Sequence, residues 1–365
     1  MLERQRKWIA YALLLITAFS FRLYVARFLA NDTPGDGKVY ARMARNLLEQ
    51  HVYSHDEEPP YTPSLIRLPG YPLFLAAIYS VFGHYNDSAV RVVQALIDTL
   101  TCGLVALLAY YWEPDERRKR VSAITAFSLA AACPFTAIYV GTILTETWAS
   151  FFAIALCLLA TLAFRARLFK QSLWRWAAVG LVGGLAVFFR PDSGLFVAAV
   201  GLTLVITELF RSSPQLESES DGKAWRAKLG SVVAKGAVLS AAFVLLLIPW
   251  TIRNWRTFHL FQPLSPAHGE MPGEFVPRGY YTWVRTWIDE GSYVETVLWS
   301  LDDKPIDPDD LPDSAFDSAE EKERVVALFD EYNNPPQTEE PEPAEEPSPS
   351  PTPKASSGPA ANKGS

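Results

Sequence analysis

Asp36, set in Pro34-Gly35-Asp36-Gly37, is a carboxylate at the edge of a long apolar run. Arg67 precedes Leu68-Pro69-Gly70-Tyr71-Pro72, Glu146 follows Leu144-Thr145, Arg190 opens Arg190-Pro191-Asp192-Ser193, and Arg253-Asn254 follows Pro249-Trp250-Thr251-Ile252. A carboxylate can act as a general base toward a hydroxyl, and arginine can hold a phosphate through paired N–H donors. Each residue also has a plainer role. Aspartate between glycines is ordinary turn or helix-cap chemistry, a first-turn Glu146 is favoured by the helix dipole, and Arg67, Arg190 and Arg253 could snorkel toward lipid headgroups. Arg91 and Asp98, at i, i+7 within one apolar run, read as an internal structural pair.

The elements that must position these groups are membrane helices. The 365 residues are 49% hydrophobic, an average that a polar tail dilutes. Apolar runs with few charges recur, each long enough to cross a hydrocarbon core of roughly 30 Å at about 1.5 Å per residue. The reading is an all-α polytopic bundle of about seven spans. The first, residues 8–29, follows Arg4, Arg6 and Lys7; it is too long for a signal h-region and is read as a retained span running outward. Residues 88–112, 121–142 with a kink at Pro134, 143–164, the hairpin 176–189 and 194–210, and 229–250 supply the others.

Between the first two spans lies an external loop, residues 30–88, with two interfacial elements. Residues 39–48 place Tyr40, Met43, Ala44 and Leu47 on one face, an amphipathic helix suited to the interface. Residues 71–82 are apolar but too short to span. If they did span, Arg117-Arg118-Lys119-Arg120 would lie outside, against the positive-inside rule. The resulting topology keeps the N-terminus and the base-rich loops cytoplasmic. It brings Asp36, Arg67, Glu146, Arg190, Asp192, Arg253 and Asn254 to the extracytoplasmic face. Residues 1–255 thus form a transmembrane domain, 256–334 an aromatic and acidic extracytoplasmic segment with a helix over 318–332, and 335–365 a disordered Pro/Glu/Ser-rich tail.

The net charge of −7 averages an acidic C-terminal part with basic inter-span loops. That pattern follows topology and gives no sign of nucleic acid. Cys102, Cys133 and Cys157 all fall in apolar runs, so neither disulfides nor a cysteine metal site is expected. His51 and His55 have i, i+4 spacing without a zinc pattern around them. P-loop, GxGxxG and GxSxG motifs are absent, so a soluble nucleotide enzyme is not suggested.

Taken together, Gly35-Asp36-Gly37-Lys38-Val39-Tyr40, Arg67-Leu68-Pro69-Gly70-Tyr71-Pro72, Phe82-Gly83 with Ala89-Val90-Arg91, Leu144-Thr145-Glu146 and Pro249-Trp250-Thr251-Ile252-Arg253-Asn254 resemble the C-type (GT-C) membrane glycosyltransferases. These enzymes use polyprenyl-phosphate sugars and include protein O-mannosyltransferases and aminoarabinose transferases of lipid A. The resemblance covers residues 8–255. It implies a catalytic aspartate in the first external loop, here Asp36, and inverting transfer of a sugar from a lipid-phosphate donor to a hydroxyl or amine of a lipid, glycan or protein. Charge developing on the departing phosphate needs cationic stabilisation, which Arg67, Arg190 or Arg253 could supply, and Tyr40, Tyr71 and Glu146 are the other candidates for donor or substrate binding. No cofactor is implied; a divalent metal is possible but not indicated. The expected location is the inner (plasma) membrane. Two alternatives stand beside this one. Broken helices and intramembrane charges also mark transporters, and relatives usually continue with more spans after residue 259, so a truncated, non-catalytic membrane partner is the other.

Overall fold

The computed structural model describes residues 2–29, 35–83, 85–210, 221–266, 270–298 and 307–334; the expected tail, 335–365, lies outside them. Among the described residues the fold is helical, without strands. Six helices are long and apolar enough to cross a membrane, or seven if one bent pair counts as a span. The chain divides into two compact units, Met1–Phe275 and Val276–Ser365.

In the first unit α1 covers Leu2–Phe28, α2 Gly35–Glu49, α3 Gly70–Phe82 and α4 Asp87–Trp112. The side chain of Asn86 caps α4 by accepting from the Ala89 amide at 3.0 Å. Helix α5, Lys119–Ala132, is followed by α6, Pro134–Ala137, and a 3-10 turn, Ile138–Gly141, with a bend of 52° at the break. Pro134 explains that bend. Proline has no N–H to donate and drives the preceding residue out of the helical region, and Cys133 is extended. Then come α7, Glu146–Phe164, α8, Phe169–Phe189, α9, Ser193–Phe210, and α10, Asp221–Phe258.

Several boundaries differ from the sequence reading. Helix α2 starts at Gly35 rather than Val39, which places Asp36 in its first turn and not in a preceding loop. Helix α8 starts seven residues before Trp176, because Lys170 and Arg175 sit on a helical turn that reads as a loop by charge. Helix α10 continues through Pro249 to Phe258, as membrane helices tolerate proline where neighbouring groups compensate. Helix α3 has 13 residues, about 20 Å, and is too short to span.

Arg91 and Asp98 do not pair. Seven residues along a helix separate them by about 10 Å. Arg91 instead donates to the Gly141 carbonyl at 2.9 Å. Asp98 accepts from Nε of the fully buried Arg22 at 2.5 Å. The rest of that guanidinium bonds the carbonyls of Ala131 at 3.0 Å and Ala130 at 3.2 Å, so one side chain ties α1, α4 and the end of α5 together.

Helices α8 and α10 approach closely because Gly180 and Gly184 face the contact, while Gly183 faces Val197 of α9. A Cβ at Gly180 would lie 2.2 Å from the Leu239 carbonyl oxygen, an impossible distance. Gly180→Leu is therefore expected to destabilise the protein by about 1–3 kcal/mol or more, read as a lower thermal midpoint in detergent. Gly201→Leu, where an added Cβ meets nothing within 4 Å, is the matched control. Equal midpoints for the two variants would contradict the close approach.

The second unit contains α11, Arg278–Trp287, α12, Gly291–Tyr293, running into a π turn at Val294–Leu298, and α13, Ala319–Asn333. Val284, Trp287, Val297, Leu311, Ala315 and Phe329 form its core. Ser318 caps α13 by accepting from the Glu321 amide at 3.1 Å.

Candidate active site

Within the first unit a polar cavity of about 500 Å³ opens where five segments meet. Helix α2 contributes Asp36 and Tyr40, the following loop Arg67, the start of α7 Thr145 and Glu146, the end of α8 Arg190 and Asp192, and the segment after α10 Ser265 and Pro266. Asp36, Tyr40, Arg67, Glu146 and Arg190, far apart in sequence, are thus neighbours in space.

Local sequence explains how they meet. Gly70 begins α3 directly against the end of α8, where a Cβ would sit 2.6 Å from the Phe188 carbonyl oxygen. Only glycine lets α3 and α8 come that close, and this contact places the Arg67 loop next to Arg190. Pro191, just beyond α8, prevents the helix from continuing. Arg190 is extended, and Asp192 lies within reach of its own guanidinium. Glu146 is the first residue of α7, where the helix dipole favours a carboxylate.

Two ion-pair systems face the cavity. Arg67 Nη2 donates to Asp36 Oδ1 at 2.8 Å, with the aspartate side chain more than half exposed. Arg190 Nη1 donates to Glu146 Oε1 at 2.8 Å, and Arg190 Nε bonds both oxygens of Asp192 at 3.1 and 3.0 Å. Burial works to lower the Arg190 pKa, but the bonds from Asp192 and Glu146 outweigh it and raise the value. Glu146 Oε2 is buried with no hydrogen-bond donor, an acceptor that a substrate hydroxyl would satisfy. Burial also raises the Tyr40 pKa, opposed by Arg67 and reinforced by Asp36 and Glu146, so its hydroxyl is a donor near neutral pH.

Tyr71 and Arg253, expected at the site, lie behind it. Tyr71 is fully buried and meets the Tyr40 ring edge-on at 5.2 Å. Its hydroxyl donates to Gln94 Oε1 at 2.8 Å, and Gln94 Nε2 donates to the carbonyls of Val140 at 3.1 Å and Thr142 at 2.8 Å. That relay supports both Tyr40 and the segment leading to Glu146. Arg253 donates to the Ser64 carbonyl at 2.7 Å, with its guanidinium over the rings of Trp250 at 4.9 Å, Phe258 at 5.1 Å and Tyr53 at 5.5 Å. Aromatic faces hold a cation well, so this arginine clasps the loop between α2 and α3 to α10. Asn254 similarly clips the segment after α10 by donating to the Gln262 carbonyl at 2.7 Å.

Thr145 belongs to the Leu144-Thr145-Glu146 motif, whereas Ser265 and Pro266 have no signal in the sequence and reach the cavity through loop geometry alone. Among the described residues no group of three or more His, Cys, Asp or Glu side chains is arranged to hold a metal ion. His51 lies past the end of α2 with φ 58°, so its i, i+4 spacing to His55 is not a helical one.

Residues 62–217 match the family model described as dolichyl-phosphate-mannose-protein mannosyltransferase. That stretch includes Arg67, Glu146, Arg190 and Asp192; Asp36 and Tyr40 precede it. No curated protein matches the chain. Among solved structures, the apo crystal structure of an oligosaccharyltransferase from Archaeoglobus fulgidus is similar at 15% identity, with a TM-score of 0.43. The likeness covers 80% of this chain and 38% of that one, so the chain spans well under half the length of that protein.

Proposed function

We propose that the chain is a C-type multi-pass membrane glycosyltransferase, a reading that the family match over residues 62–217 supports, and that it transfers a sugar from a polyprenyl-phosphate donor to an acceptor hydroxyl or amine, with Asp36 as general base. The observation that supports this most is the meeting of Asp36–Arg67 with Glu146–Arg190–Asp192 around one cavity. Carboxylates and guanidinium groups in a shared wet space, at the ends of apolar helices, suit a substrate with a charged head and a hydrocarbon tail.

The reaction is a single displacement. The acceptor oxygen or nitrogen attacks the anomeric carbon as Asp36 takes its proton, and the bond from that carbon to the phosphate oxygen breaks. Lipid phosphate leaves on the opposite side, with inversion. Negative charge grows on the departing phosphate, and cationic donors already aimed at that position lower the barrier. Arg67 and Arg190 each spend only part of their five N–H donors on carboxylates, so both retain donors for a phosphate. Tyr40 and Glu146 Oε2 are placed for sugar or acceptor hydroxyls. With a monophosphate as leaving group a nucleotide-type metal clamp is less necessary, and the site belongs on the extracytoplasmic face of the plasma membrane.

The test uses the intact chain in proteoliposomes with a polyprenyl-phosphate donor carrying a labelled sugar. Label should pass to an acceptor, and a nucleotide sugar should not replace the donor. Absence of transfer across a panel of sugars and acceptors would overturn the reading, and counterflow of a free solute would point to a transporter.

A further inference from the structure

A second large cavity, of about 730 Å³, lies among α1, α4 and α5, and its lining is apolar except at one rim. On α4 it runs from Leu100 to Tyr110, ten residues or about 15 Å, half of a hydrocarbon core of roughly 30 Å. It occupies the half of the membrane away from the polar cavity. The other half of α4 carries Arg91 and Gln94, which bond the segment leading to Glu146. The Arg22–Asp98 pair separates the two.

The rim carries the polar groups. Tyr11, Tyr110 and Arg120 line it, with Arg117 and Arg118 in the preceding turn and Lys119 at the start of α5. The nearby acids are largely committed. Glu116 pairs with Lys119, and Glu113 accepts from Ser122 at 2.8 Å and from the Asp115 amide at 3.1 Å. Asp115 accepts from the Arg117 amide at 2.9 Å. Arg120 is exposed and makes no ion pair among the described residues. Gly103 lines the same space, and a Cβ added there meets nothing within 4 Å.

We propose that this cavity holds one anionic glycerophospholipid of the surrounding leaflet, an acyl chain lying along Gly103 and Leu107 and the headgroup phosphate meeting Arg120. An apolar groove of one-leaflet depth with aromatic residues and an uncommitted cation at its mouth matches such a lipid in length and charge; basic pockets between membrane helices take anionic headgroups in this way. The polyprenyl donor is a poorer match. Its phosphate must reach the polar cavity in the other half of the membrane, whereas the cation here fixes the headgroup at the opposite rim.

Native mass spectrometry of the purified full chain tests this with dioleoyl phosphatidylglycerol and dioleoyl phosphatidylcholine as probes. One phosphatidylglycerol should be retained about fivefold more tightly than phosphatidylcholine. Arg120→Gln should remove that preference without changing the thermal midpoint. Gly103→Phe, which fills open space, should reduce retention of both lipids. Equal retention of the two lipids by the unaltered chain, an Arg120→Gln variant that keeps its preference, or displacement of the bound lipid by a polyprenyl phosphate would overturn the assignment.

Discussion

Asp36→Asn is expected to lower kcat for sugar transfer by about 10²- to 10⁴-fold, the range removed with a general base, while KM for the lipid donor changes little. The amide keeps the size of the carboxyl group and can still accept the bond from Arg67, which the acid accepts at 2.8 Å, but it cannot take a proton from the acceptor. Initial rates in proteoliposomes at saturating donor would measure this. Thermal unfolding of the same preparations should be unchanged, because more than half of the Asp36 side chain is exposed and the residue belongs to no buried network. Turnover within about threefold of the unaltered chain would remove Asp36 as the base. Glu146 would then be the carboxylate to examine, since its Oε2 is buried at the cavity without a donor.

The largest stability effect should come from the other charged cluster. Asp98→Leu leaves Arg22, which is fully buried, without its counter-ion. Removing one partner of a buried pair costs about 3–5 kcal/mol, because the remaining charge is still desolvated. Loss of folded protein in a detergent-denaturation series would measure the change. The double variant Arg22→Leu with Asp98→Leu should recover much of that loss, since no charge is then left in the apolar interior. A double variant as unstable as Asp98→Leu alone would mean that the carbonyl bonds of Arg22 to Ala130 and Ala131, and not the ion pair, hold α1 to α4 and α5.

Much of this molecule is legible in the sequence because a bilayer sets the same length for every span. Runs of apolar residues bounded by arginine and lysine are enough to locate α1, α4, α7 and α9, and the shortness of residues 71–82 distinguishes α3 from a span. The shared edge position of Asp36, Arg67, Glu146 and Arg190 is also readable, since each follows or precedes such a run. The pairing is less so. Which acid meets which arginine depends on helix rotation and on close approaches such as Gly70 against Phe188, and no periodicity encodes a contact between segments. Arg22 illustrates the limit. Its charge within an apolar run marks it as unusual, but its partner Asp98 lies 76 residues away, and spacing alone pairs Asp98 with Arg91 instead. Arg253 illustrates the converse. Its setting beside Pro249-Trp250 resembles a substrate-site motif, while the surrounding rings of Tyr53, Trp250 and Phe258 keep it as a clasp.

Proline and charge both mislead the boundary reading. Lys170 and Arg175 end the apolar run and so read as loop, although both are good helix formers. Pro249 reads as a stop, but in a membrane-bound bundle neighbouring groups satisfy the freed carbonyl and the helix continues.

The anomeric configuration of the transferred sugar tests the central claim most directly. With a donor of known configuration and the intact chain in proteoliposomes, one-bond carbon–proton coupling at the anomeric centre of the product reports its stereochemistry. A single displacement assisted by Asp36 inverts that centre. Retention would require a covalent sugar intermediate or attack from the leaving-group side, and would contradict direct transfer at this cavity.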